Sequence, residues 1–258
     1  MTSLKNSTVC ITGASSGIGK ACAVAFAGQG ANVLLTARRH DRIKHLAQEL
    51  ARDHHVKAHA VALDVTNRRQ VDDTFSSFPS EWKDIDILIN NAGLARGLAR
   101  FYEGKVEDWE EMIDTNVKGL MYVTRAVLPG MVERNSGHVI NIGSIAGHQT
   151  YPMGNMYSAS KFAVTGLSRS LKMDLLGTSV RVTSVDPGLV ETEFSQVRFH
   201  GDKERGAKTY AGMTPLRPED IAEIVVFCAT RPAHVNIGEL LVTPTDQATV
   251  SMVHRKTE

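Results

Sequence analysis

Cysteine is scarce in this chain, and neither its cysteines nor its histidines form a metal-binding pattern. Cys10, Cys22 and Cys228 form no CxxC pair and lie among apolar neighbours, which predicts buried, reduced thiols. Of the ten histidines, His54 and His55 are adjacent and the others are scattered singly, without the matched spacing of a zinc site. We therefore expect no bound metal.

The chain also lacks a strong excess of charge and a long apolar run. Its 29 basic and 28 acidic residues leave a formal net charge of +1, and no basic run is interleaved with aromatic residues, so nucleic acid is not an expected partner. No stretch approaches the roughly 18 apolar residues of a membrane span, and the N-terminal sequence has no apolar run of signal-peptide length. These absences predict a soluble, cytoplasmic protein without a membrane partner.

What the chain does contain is a regular alternation of strand and helix patterns. With 258 residues and 42% hydrophobic content, it can bury a sizeable core in a single domain, residues 1–258. Apolar segments of strand length alternate with segments of helical period, which is typical of repeated βα units and a parallel sheet. Seven strands are predicted, at 8–11, 32–37, 57–63, 85–90, 138–142, 180–185 and 239–243.

Capping residues predict where several of the helices begin. Asp41 is a plausible N-cap of the helix between the second and third strands, and Thr66 or Asn67 of the next helix. Pro218 suits the first position of a later helix, and Glu219 suits its first turn. Each of these helices carries an apolar stripe that can face a sheet.

Two regions break the alternation. The segment 112–134 is long for one helix and contains Asn116, Gly119 and Pro129, which are unfavourable inside helices. The segment 187–213 is polar, without a clear period, and long for a connection in a compact domain. We predict that it is a mobile substrate lid, with an ordinary surface excursion as the alternative.

A glycine-rich turn, TGASSGIG, follows the first predicted strand. Gly13, Gly17 and Gly19 let the backbone bend and let a pyrophosphate approach, and free N–H groups at the following helix start attract the anion. The spacing differs from G-x-G-x-x-G, so a plain strand-to-helix turn is the alternative. Its place between a first strand and a first helix favours dinucleotide binding.

The end of the second strand indicates which dinucleotide is bound. An acidic residue there would hold a free ribose 2′-hydroxyl, whereas Arg38 and Arg39 suit a 2′-phosphate. Asp41 could be argued to serve the ribose, but its position suits an N-cap better. The sequence therefore predicts NADP rather than NAD.

The segment SIAGHQTYPMGNMYSASK, residues 144–161, gathers a hydroxyl, a phenol and an ammonium group. Tyr157 and Lys161 are four residues apart, so a helix from about Met156 onward places both on one face. Ser144 follows an apolar strand-like run. Proton transfer at a carbonyl or alcohol oxygen needs such groups, although a core tyrosine with a solvated lysine would be the plainer interpretation of any such pair.

Further motifs occur in a fixed order. Asn90-Asn91-Ala92-Gly93 follows the fourth strand, Pro187-Gly188 follows the sixth, and Asn116 lies in the long helical segment. Together with TGASSGIG and Tyr157-x3-Lys161, they resemble the short-chain dehydrogenases/reductases over essentially the whole chain. The segments 112–144 and 187–202 are similar to the NADP-dependent 3-hydroxy acid dehydrogenases, which include serine and allo-threonine dehydrogenases. Gly143 stands where many relatives carry a serine.

The resemblance implies an α/β fold, a Rossmann-type doubly wound parallel sheet of seven strands in the order 3-2-1-4-5-6-7, and a homotetramer. It implies that Tyr157 is the general acid and base, that Ser144 donates to the substrate oxygen, and that Asn116 holds a water linked to Lys161. The implied cofactor-binding residues are Gly13, Ser15, Ser16, Gly17, Ile18, Gly19, Arg38, Arg39, Asp64, Val65, Asn91, Ala92, Gly93, Tyr157, Lys161, Pro187, Gly188, Val190 and Thr192.

Plainer roles compete with some of these assignments. Asp64, Asn90 and Asn91 could be turn residues, Ser144 a strand-end cap and Asn116 a residue that only bends its helix. The chemistry adds a requirement for Tyr157, because a free tyrosine has a pKa near 10. Positive charge on the neighbouring lysine and on an oxidised nicotinamide would lower it, and about three units would correspond to roughly 4 kcal/mol.

A hydroxy acid substrate needs a group that binds its carboxylate, and arginine is the usual one. Arg198, in the predicted lid, is the candidate, and Arg96, Arg100 and Lys203 compete with it. The residues between the serine and the tyrosine are expected to form pocket walls, in particular His148, Tyr151 and Asn155.

The hypothesis favoured by the sequence is an NADP-dependent oxidoreductase that interconverts a small 3-hydroxy acid, such as L-serine, L-allo-threonine or a 3-hydroxypropionate-like compound, with the 3-oxo acid or semialdehyde. One alternative is a reductase of broader carbonyls or 3-oxoacyl thioesters, for which no concentrated basic helix that could bind an acidic carrier stands out. Another, of a different class, is a non-catalytic NADP-sensing module, which would be expected to lack Tyr157 or Lys161.

Overall fold

The structure is a computed structural model that describes residues 2–256, and its centre is one seven-stranded sheet with parallel neighbours throughout. The strand order is β3-β2-β1-β4-β5-β6-β7, which confirms the expected order. All seven predicted strands are present, with ends that shift by no more than two residues. They are β1 Thr8–Thr12, β2 Asn32–Ala37, β3 Ala58–Ala62, β4 Ile87–Asn90, β5 Gly137–Ile142, β6 Val180–Pro187 and β7 Glu239–Val242.

Helices cover both faces of this sheet, as a doubly wound fold requires. The α-helices of the described residues are α1 Gly17–Gly28, α2 His40–His54, α3 Arg68–Ser76, α4 Ser80–Lys83, α5 Val106–Ile113, α6 Leu120–Glu133, α7 Asn155–Asp174, α8 Phe194–Arg198, α9 Lys203–Lys208 and α10 Pro218–Ala229. Short 3₁₀ turns lie at Phe101–Glu103 and Ile145–Gly147, and a π-helical turn at Asp114–Gly119 joins α5 to α6.

The core consists of two apolar layers, one on each face of the sheet. Phe26 of α1, Ile43 of α2 and Ile221 of α10 are fully buried in the first layer. Val71 of α3 and Met131 of α6 are fully buried in the second. Each such side chain contributes roughly 1.5–3 kcal/mol by leaving water, so the apolar stripes read from the sequence are what attach the helices to the sheet.

The helix starts follow the predicted caps with one exception. Asn67 is the N-cap of α3, where its side chain accepts from Gln70 N at 3.1 Å, and Pro218 is the first residue of α10. The prediction for Asp41 is wrong, because α2 begins at His40 with Arg39 at the N-cap. Asp41 instead lies in the first turn, where a carboxylate interacts favourably with the helix dipole.

The two irregular regions have different explanations. In 112–134, the π-helical turn accommodates Asn116 and Gly119, and π turns of this kind are frequent at functional sites. The segment 187–213 is less irregular than predicted, since α8 and α9 lie within it. Asp202 caps α9 by accepting from Arg205 N at 2.9 Å. Helices this short do not contain enough turns to reveal a period in sequence.

The register of the sheet brings the predicted motifs to one edge. Ile11 of β1 pairs with Ile89 of β4, and Ile142 of β5 pairs with Val185 of β6, so the carboxyl ends of these strands are level. The chain order reverses between β1 and β4, and the crevice at such a reversal is where ligands bind in open parallel sheets.

Two other expectations concern the chain as a whole. Cys10, Cys22 and Cys228 are free and buried, which confirms the prediction made for the thiols. Among residues 2–256, no helix has both the length and the apolarity needed to cross a membrane.

Candidate active site

A cavity of about 960 Å³ opens at the carboxyl edge of the sheet. Its walls are the glycine-rich turn, the ends of β2, β4, β5 and β6, and residues of the segment 187–213. Every predicted cofactor-binding residue lines it except Gly19. The predicted residues are therefore brought together in one place. The same cavity reaches from Arg38 to Tyr157.

Close packing explains the outer glycines of the turn. Gly13 has φ +66°, and a Cβ there would lie 2.9 Å from the Ala92 Cα. A Cβ on Gly19 would meet the Asn91 amide, so this glycine lies behind the cavity and serves packing. The Asn91 amide donates to Thr12 O at 2.9 Å and thereby ties the turn to β4.

Arginine side chains form an anion-binding group beside this turn. Arg39 donates to Ser15 Oγ at 2.9 Å and to Ser16 Oγ at 2.7 Å, and its Nη1 donates to the Glu193 carboxylate at 2.8 Å. Arg42 donates to the same carboxylate at 2.8 Å. The two guanidinium groups thus already hold one anion, the Glu193 carboxylate. The same kind of contact would suit a 2′-phosphate.

The structure adds Arg42 to the residues that the sequence analysis identified. It lies three positions after Arg39, in the first turn of α2, and both side chains donate to the Glu193 carboxylate. A third arginine so soon after Arg38 and Arg39 is a usable signal in the sequence. Arg38 is exposed and also lines the cavity.

Asp64 makes the hydrogen bonds of a turn residue, the plainer of its two predicted roles, and it also lines the cavity. Its Oδ1 accepts from Thr66 N at 3.0 Å and from Thr66 Oγ1 at 2.8 Å. Val65 beside it is buried against Gly119, whose added Cβ would lie 2.6 Å from a Val65 methyl. The wall that is predicted to face the adenine is therefore packed tightly against the π-helical turn.

Tyr157 and Lys161 both project from α7 into the inner end of the cavity, where Ser144 follows β5. The Ser144 Oγ accepts from Ala146 N at 3.1 Å, so the capping role exists alongside any catalytic one. Burial raises the pKa of Tyr157 to about 12, and a hydrogen bond with Ser144 opposes the rise. The protein groups by themselves thus favour the phenol, and the depression expected for phenolate needs the positive nicotinamide as well.

Lys161 is buried, and its ammonium group donates to Ile142 O at 2.9 Å. Burial lowers its pKa to about 8, and the negative charge of Asp186 partly opposes this. At neutral pH the lysine is still mostly protonated, because the pKa lies about one unit above 7. A positive charge therefore remains four residues from the tyrosine.

Asn116 does not line the cavity, and its side chain holds the loop after β4. Its Oδ1 accepts from Leu94 N at 2.8 Å, and its Nδ2 donates to Leu94 O at 2.8 Å and to Ser160 Oγ at 3.0 Å. A Cβ on Gly93 would lie 3.2 Å from this Oδ1 and 3.8 Å from the Lys161 ammonium nitrogen. Asn116 and Lys161 therefore both border Gly93, and the contacts of the Asn116 amide go to the Leu94 backbone and to Ser160.

His148 lies outside the cavity, contrary to the prediction that it forms a pocket wall. Its Nε2 is 2.9 Å from the Asp186 carboxylate and its Nδ1 is 3.2 Å from Glu239, so both ring nitrogens are occupied by carboxylates behind the site. Asp186 is fully buried and also accepts from Ser184 Oγ at 2.6 Å. The imidazole is held by β6 and β7 rather than offered to a substrate.

Asn155 also lies outside the cavity lining, contrary to its prediction as a pocket wall. Its amide donates to Ala99 O at 3.0 Å and anchors the loop that precedes α5. Tyr151 does line the cavity. Its hydroxyl accepts from Arg198 Nη2 at 2.6 Å.

Arg198 is the predicted carboxylate binder, and it lies close to Tyr157. Its guanidinium carbon is 5.5 Å from the ring centres of Tyr151 and Tyr157, and its Nε donates to Gly97 O at 3.1 Å. Arg198 and Tyr157 therefore share the inner end of the cavity.

The competing basic residues are less suited to this task. Arg96 lines the cavity but forms a two-pronged pair with Glu111 at 2.6 and 2.9 Å and donates to Val197 O. Arg100 lies outside the lining and donates to Tyr102 OH. Lys203 is exposed at the cavity rim. Of these four basic residues, Arg198 is the one whose guanidinium lies beside the Tyr157 ring.

Several further lining residues were missed because no motif marks them, among them Phe194, Tyr210 and Gln247. Phe194 packs edge-on against Tyr157 with 5.7 Å between ring centres. Tyr210 donates to Val190 O at 2.8 Å, and Gln247 accepts from Leu189 N at 2.8 Å. They come from segments far apart in sequence that meet only in the folded chain.

With this geometry in place, comparison with known proteins identifies the family. A model of the short chain dehydrogenases matches residues 7–203. The chain belongs to the short-chain dehydrogenase family. Among relatives of this short-chain dehydrogenase, the NADP-dependent 3-hydroxy acid dehydrogenase YdfG of Escherichia coli K12 is 50% identical over 250 residues, covering 96% of this chain and 99% of the relative. An NADP-dependent 3-hydroxy acid dehydrogenase of Schizosaccharomyces pombe is 43% identical over 257 residues, covering 99% of each.

Solved structures of short-chain dehydrogenases agree with the fold. The closed form of a serine dehydrogenase complexed with NADP⁺ superposes with a TM-score of 0.90 and 50% identity, covering 96% of this chain and 100% of the other. The serine dehydrogenase of Escherichia coli gives a TM-score of 0.81 and 46% identity over 93% of this chain and 99% of the other. The predicted family, fold and class of enzyme are confirmed: the protein is a short-chain dehydrogenase, an oxidoreductase.

Proposed function

We propose that this enzyme uses NADP to oxidise the hydroxyl group of a small 3-hydroxy acid, such as L-serine, L-allo-threonine or a 3-hydroxypropionate-like compound. The 3-oxo acid or semialdehyde is the product, and the substrate of the reverse reaction. The observation that carries the proposal is the position of the Arg198 guanidinium 5.5 Å from the Tyr157 ring, inside one cavity. A carboxylate binder and a proton-transfer group at that separation suit a compact substrate that has both a carboxylate and a hydroxyl.

The cofactor is NADP, as the arginine pair after β2 predicted. Relatives about half identical to this chain are named as NADP-dependent, and the serine dehydrogenase with a TM-score of 0.90 was solved with NADP⁺. The residues that would hold its 2′-phosphate are Arg39 and Arg42, with Arg38 at the rim. The serine hydroxyls that orient Arg39 make this arrangement more rigid than a pair of free surface arginines.

When bound, the nicotinamide supplies the hydride acceptor or donor. In alcohol oxidation Tyr157 takes the hydroxyl proton, and in reduction it returns that proton to the carbonyl oxygen. Ser144 donates to the same oxygen, where charge develops, a contribution often worth about 3 kcal/mol. Lys161 holds positive charge near the phenol, and Asn116 positions a water between the lysine and solvent.

Arg198 has the donors for a substrate carboxylate because its Nη1 has no hydrogen-bond partner among residues 2–256, while Nε and Nη2 hold the side chain in place. Tyr151 accepts the Nη2 bond and so helps to orient the guanidinium. A charge-assisted pair of this kind contributes about 1.5–3 kcal/mol.

The test is a set of initial-rate assays with NADP⁺ and NAD⁺ on hydroxy acids, hydroxyamino acids and neutral secondary alcohols. Arg198→Met should raise KM for the acids by at least about tenfold and leave KM for neutral alcohols nearly unchanged, since only the acids lose a charged contact. Arg125→Met, an exposed arginine of α6, is the matched control and should change neither. An equal effect of Arg198→Met on both substrate classes would refute the carboxylate assignment, and faster turnover of neutral carbonyls would favour a broader reductase.

A homotetramer in the cytoplasm is the corresponding proposal for the whole enzyme. Large apolar side chains on or just after α7 are exposed, with Phe162, Met173 and Leu176 at 42%, 75% and 90%. Exposed apolar surface of this kind supports subunit contact. Sedimentation at several concentrations tests it, and a monomer at assay concentration would contradict it.

A further inference from the structure

Glu193 occupies the same guanidinium groups that a 2′-phosphate needs. Its Oε2 is 2.8 Å from Arg39 Nη1, and its Oε1 is 2.8 Å from Arg42 Nη1. The two arginines approach the carboxylate from the first turn of α2, while Glu193 comes from the segment after β6. The ion pairs therefore join two parts of the chain that are 151 and 154 residues apart.

We propose that Glu193 is an internal competitor of the cofactor's 2′-phosphate, and that the phosphate displaces it from the two arginines when NADP binds. The inference depends on the placement of the 2′-phosphate at Arg39 that was proposed above. A carboxylate and a phosphate are both bound by guanidinium forks. The N–H groups of Arg39 and Arg42 that bind one anion are not available to the other.

Charge makes simultaneous occupation unfavourable. A phosphate monoester carries about −1.5 to −2 at neutral pH, and Arg39 holds the pKa of Glu193 below its usual value, so the carboxylate is ionised there. Two anions side by side repel each other. A cofactor without the 2′-phosphate gives Glu193 no competitor and leaves the arginines paired within the protein.

Displacement also has a consequence for the substrate side. Glu193 is the N-cap residue of α8, and its carbonyl accepts from Val197 N at 3.0 Å. The same helix carries Phe194 against Tyr157 and ends at Arg198. Release of the Glu193 side chain removes the ion pairs that fix the start of α8 to α2. The 2′-phosphate therefore acts on the element that carries the proposed carboxylate binder.

The experiment compares adenosine 2′,5′-bisphosphate with AMP, which lacks only the 2′-phosphate, by titration calorimetry on the full chain. Glu193→Gln keeps the side-chain size and removes the charge. It should bind the bisphosphate about tenfold more tightly than the wild type does, a gain of about 1.4 kcal/mol, and bind AMP unchanged. Glu191→Gln is the matched control, because Glu191 is exposed in the same segment and forms no ion pair within residues 2–256.

Three results would overturn the inference: unchanged or weaker binding of the bisphosphate by Glu193→Gln, an equal gain for AMP, or an equal gain in Glu191→Gln. Equal affinity of the wild type for both nucleotides would instead remove the proposed phosphate site, and the inference with it. Hydrogen exchange tests the consequence for α8. In the wild type the bisphosphate should speed exchange in the 193–199 peptide at least about twofold and AMP should not; no difference would overturn the link to α8.

Discussion

Placing a side chain at Gly143 should destabilise the protein through one identifiable contact. A Cβ added there would run into the Asp186 carboxylate and approach Ser184 Oγ to 3.0 Å. The carboxylate has no free space to retreat into, because it is fully buried and fixed by Ser184 at 2.6 Å and His148 at 2.9 Å. Gly143→Ala therefore either forces the backbone of β5 outward or breaks these hydrogen bonds.

The cost follows from the two ways of relieving the contact. Overpacking a buried site typically costs about 1–3 kcal/mol, and a lost hydrogen bond to a charged group about 1.5–3 kcal/mol. We expect Gly143→Ala to cost about 2–4 kcal/mol. For a chain of this size each kilocalorie lowers Tm by roughly 2–4 °C, so a fall of at least about 4 °C is expected.

The assay is thermal unfolding at one fixed protein concentration, with the double variant Gly143→Ala/Asp186→Ala and both single variants. Removing the carboxylate should reduce the cost of Gly143→Ala to less than about 1 kcal/mol, which gives a coupling energy of at least about 1 kcal/mol. Gly166→Ala is the control, since a Cβ there in α7 meets no atom of the described chain within 4 Å and should stabilise the helix by up to about 1 kcal/mol. A Tm for Gly143→Ala within a degree of wild type, or the same loss in the Asp186→Ala background, would refute the reasoning.

Other predictions test the site, a pH effect and a helix start. Tyr157→Phe should lower kcat at least about a hundredfold, because general acid-base catalysis is lost, with unchanged calorimetric affinity for adenosine 2′,5′-bisphosphate; undiminished turnover would refute the catalytic role. Burial lowers the pKa of Lys161 from 10.5 to about 8, so the folded state is penalised below pH 8 and relieved as pH rises toward 10.5. The wild type should therefore gain Tm relative to Lys161→Met across that interval, and a relative loss would contradict this. Asp220→Ala removes the bond at 2.7 Å from Arg217 N and should cost about 1 kcal/mol of unfolding free energy, measured by denaturant titration, whereas a change below about 0.3 kcal/mol would contradict the cap.

The strands and most helix starts were predictable because local rules determine them. An apolar run such as that of β2 is buried on both faces of a parallel sheet, and Asn67 and Pro218 have conformational preferences that act within one turn. The start of α2 was misplaced because Asp41 has a high propensity for the N-cap position. The actual N-cap residue is Arg39, whose side chain makes no capping hydrogen bond. The helices α8 and α9 were missed since five or six residues contain no readable period.

The site residues also differ in how far the sequence predicts them. Backbone-level requirements, such as the φ of Gly13 and the helical spacing of Tyr157 and Lys161, leave marks in the sequence near the residues concerned. The residues that form the substrate walls leave no such mark, because their role depends on whether the side chain points into the cavity once the chain has folded. His148 was expected to face the substrate and instead turns toward Asp186.

Asp186 also explains why a glycine stands at position 143. A carboxylate at the end of β6 fills the space that a residue after β5 would otherwise use, so only glycine fits opposite it. The Lys161 ammonium group donates to Ile142 O, on the peptide bond that leads into Gly143. The lysine and the carboxylate therefore lie beside the same stretch of backbone, and the negative charge offsets part of the cost of burying the positive one. A substitution at Gly143 that displaced Asp186 would weaken the charge balance around Lys161 as well as the packing beneath it.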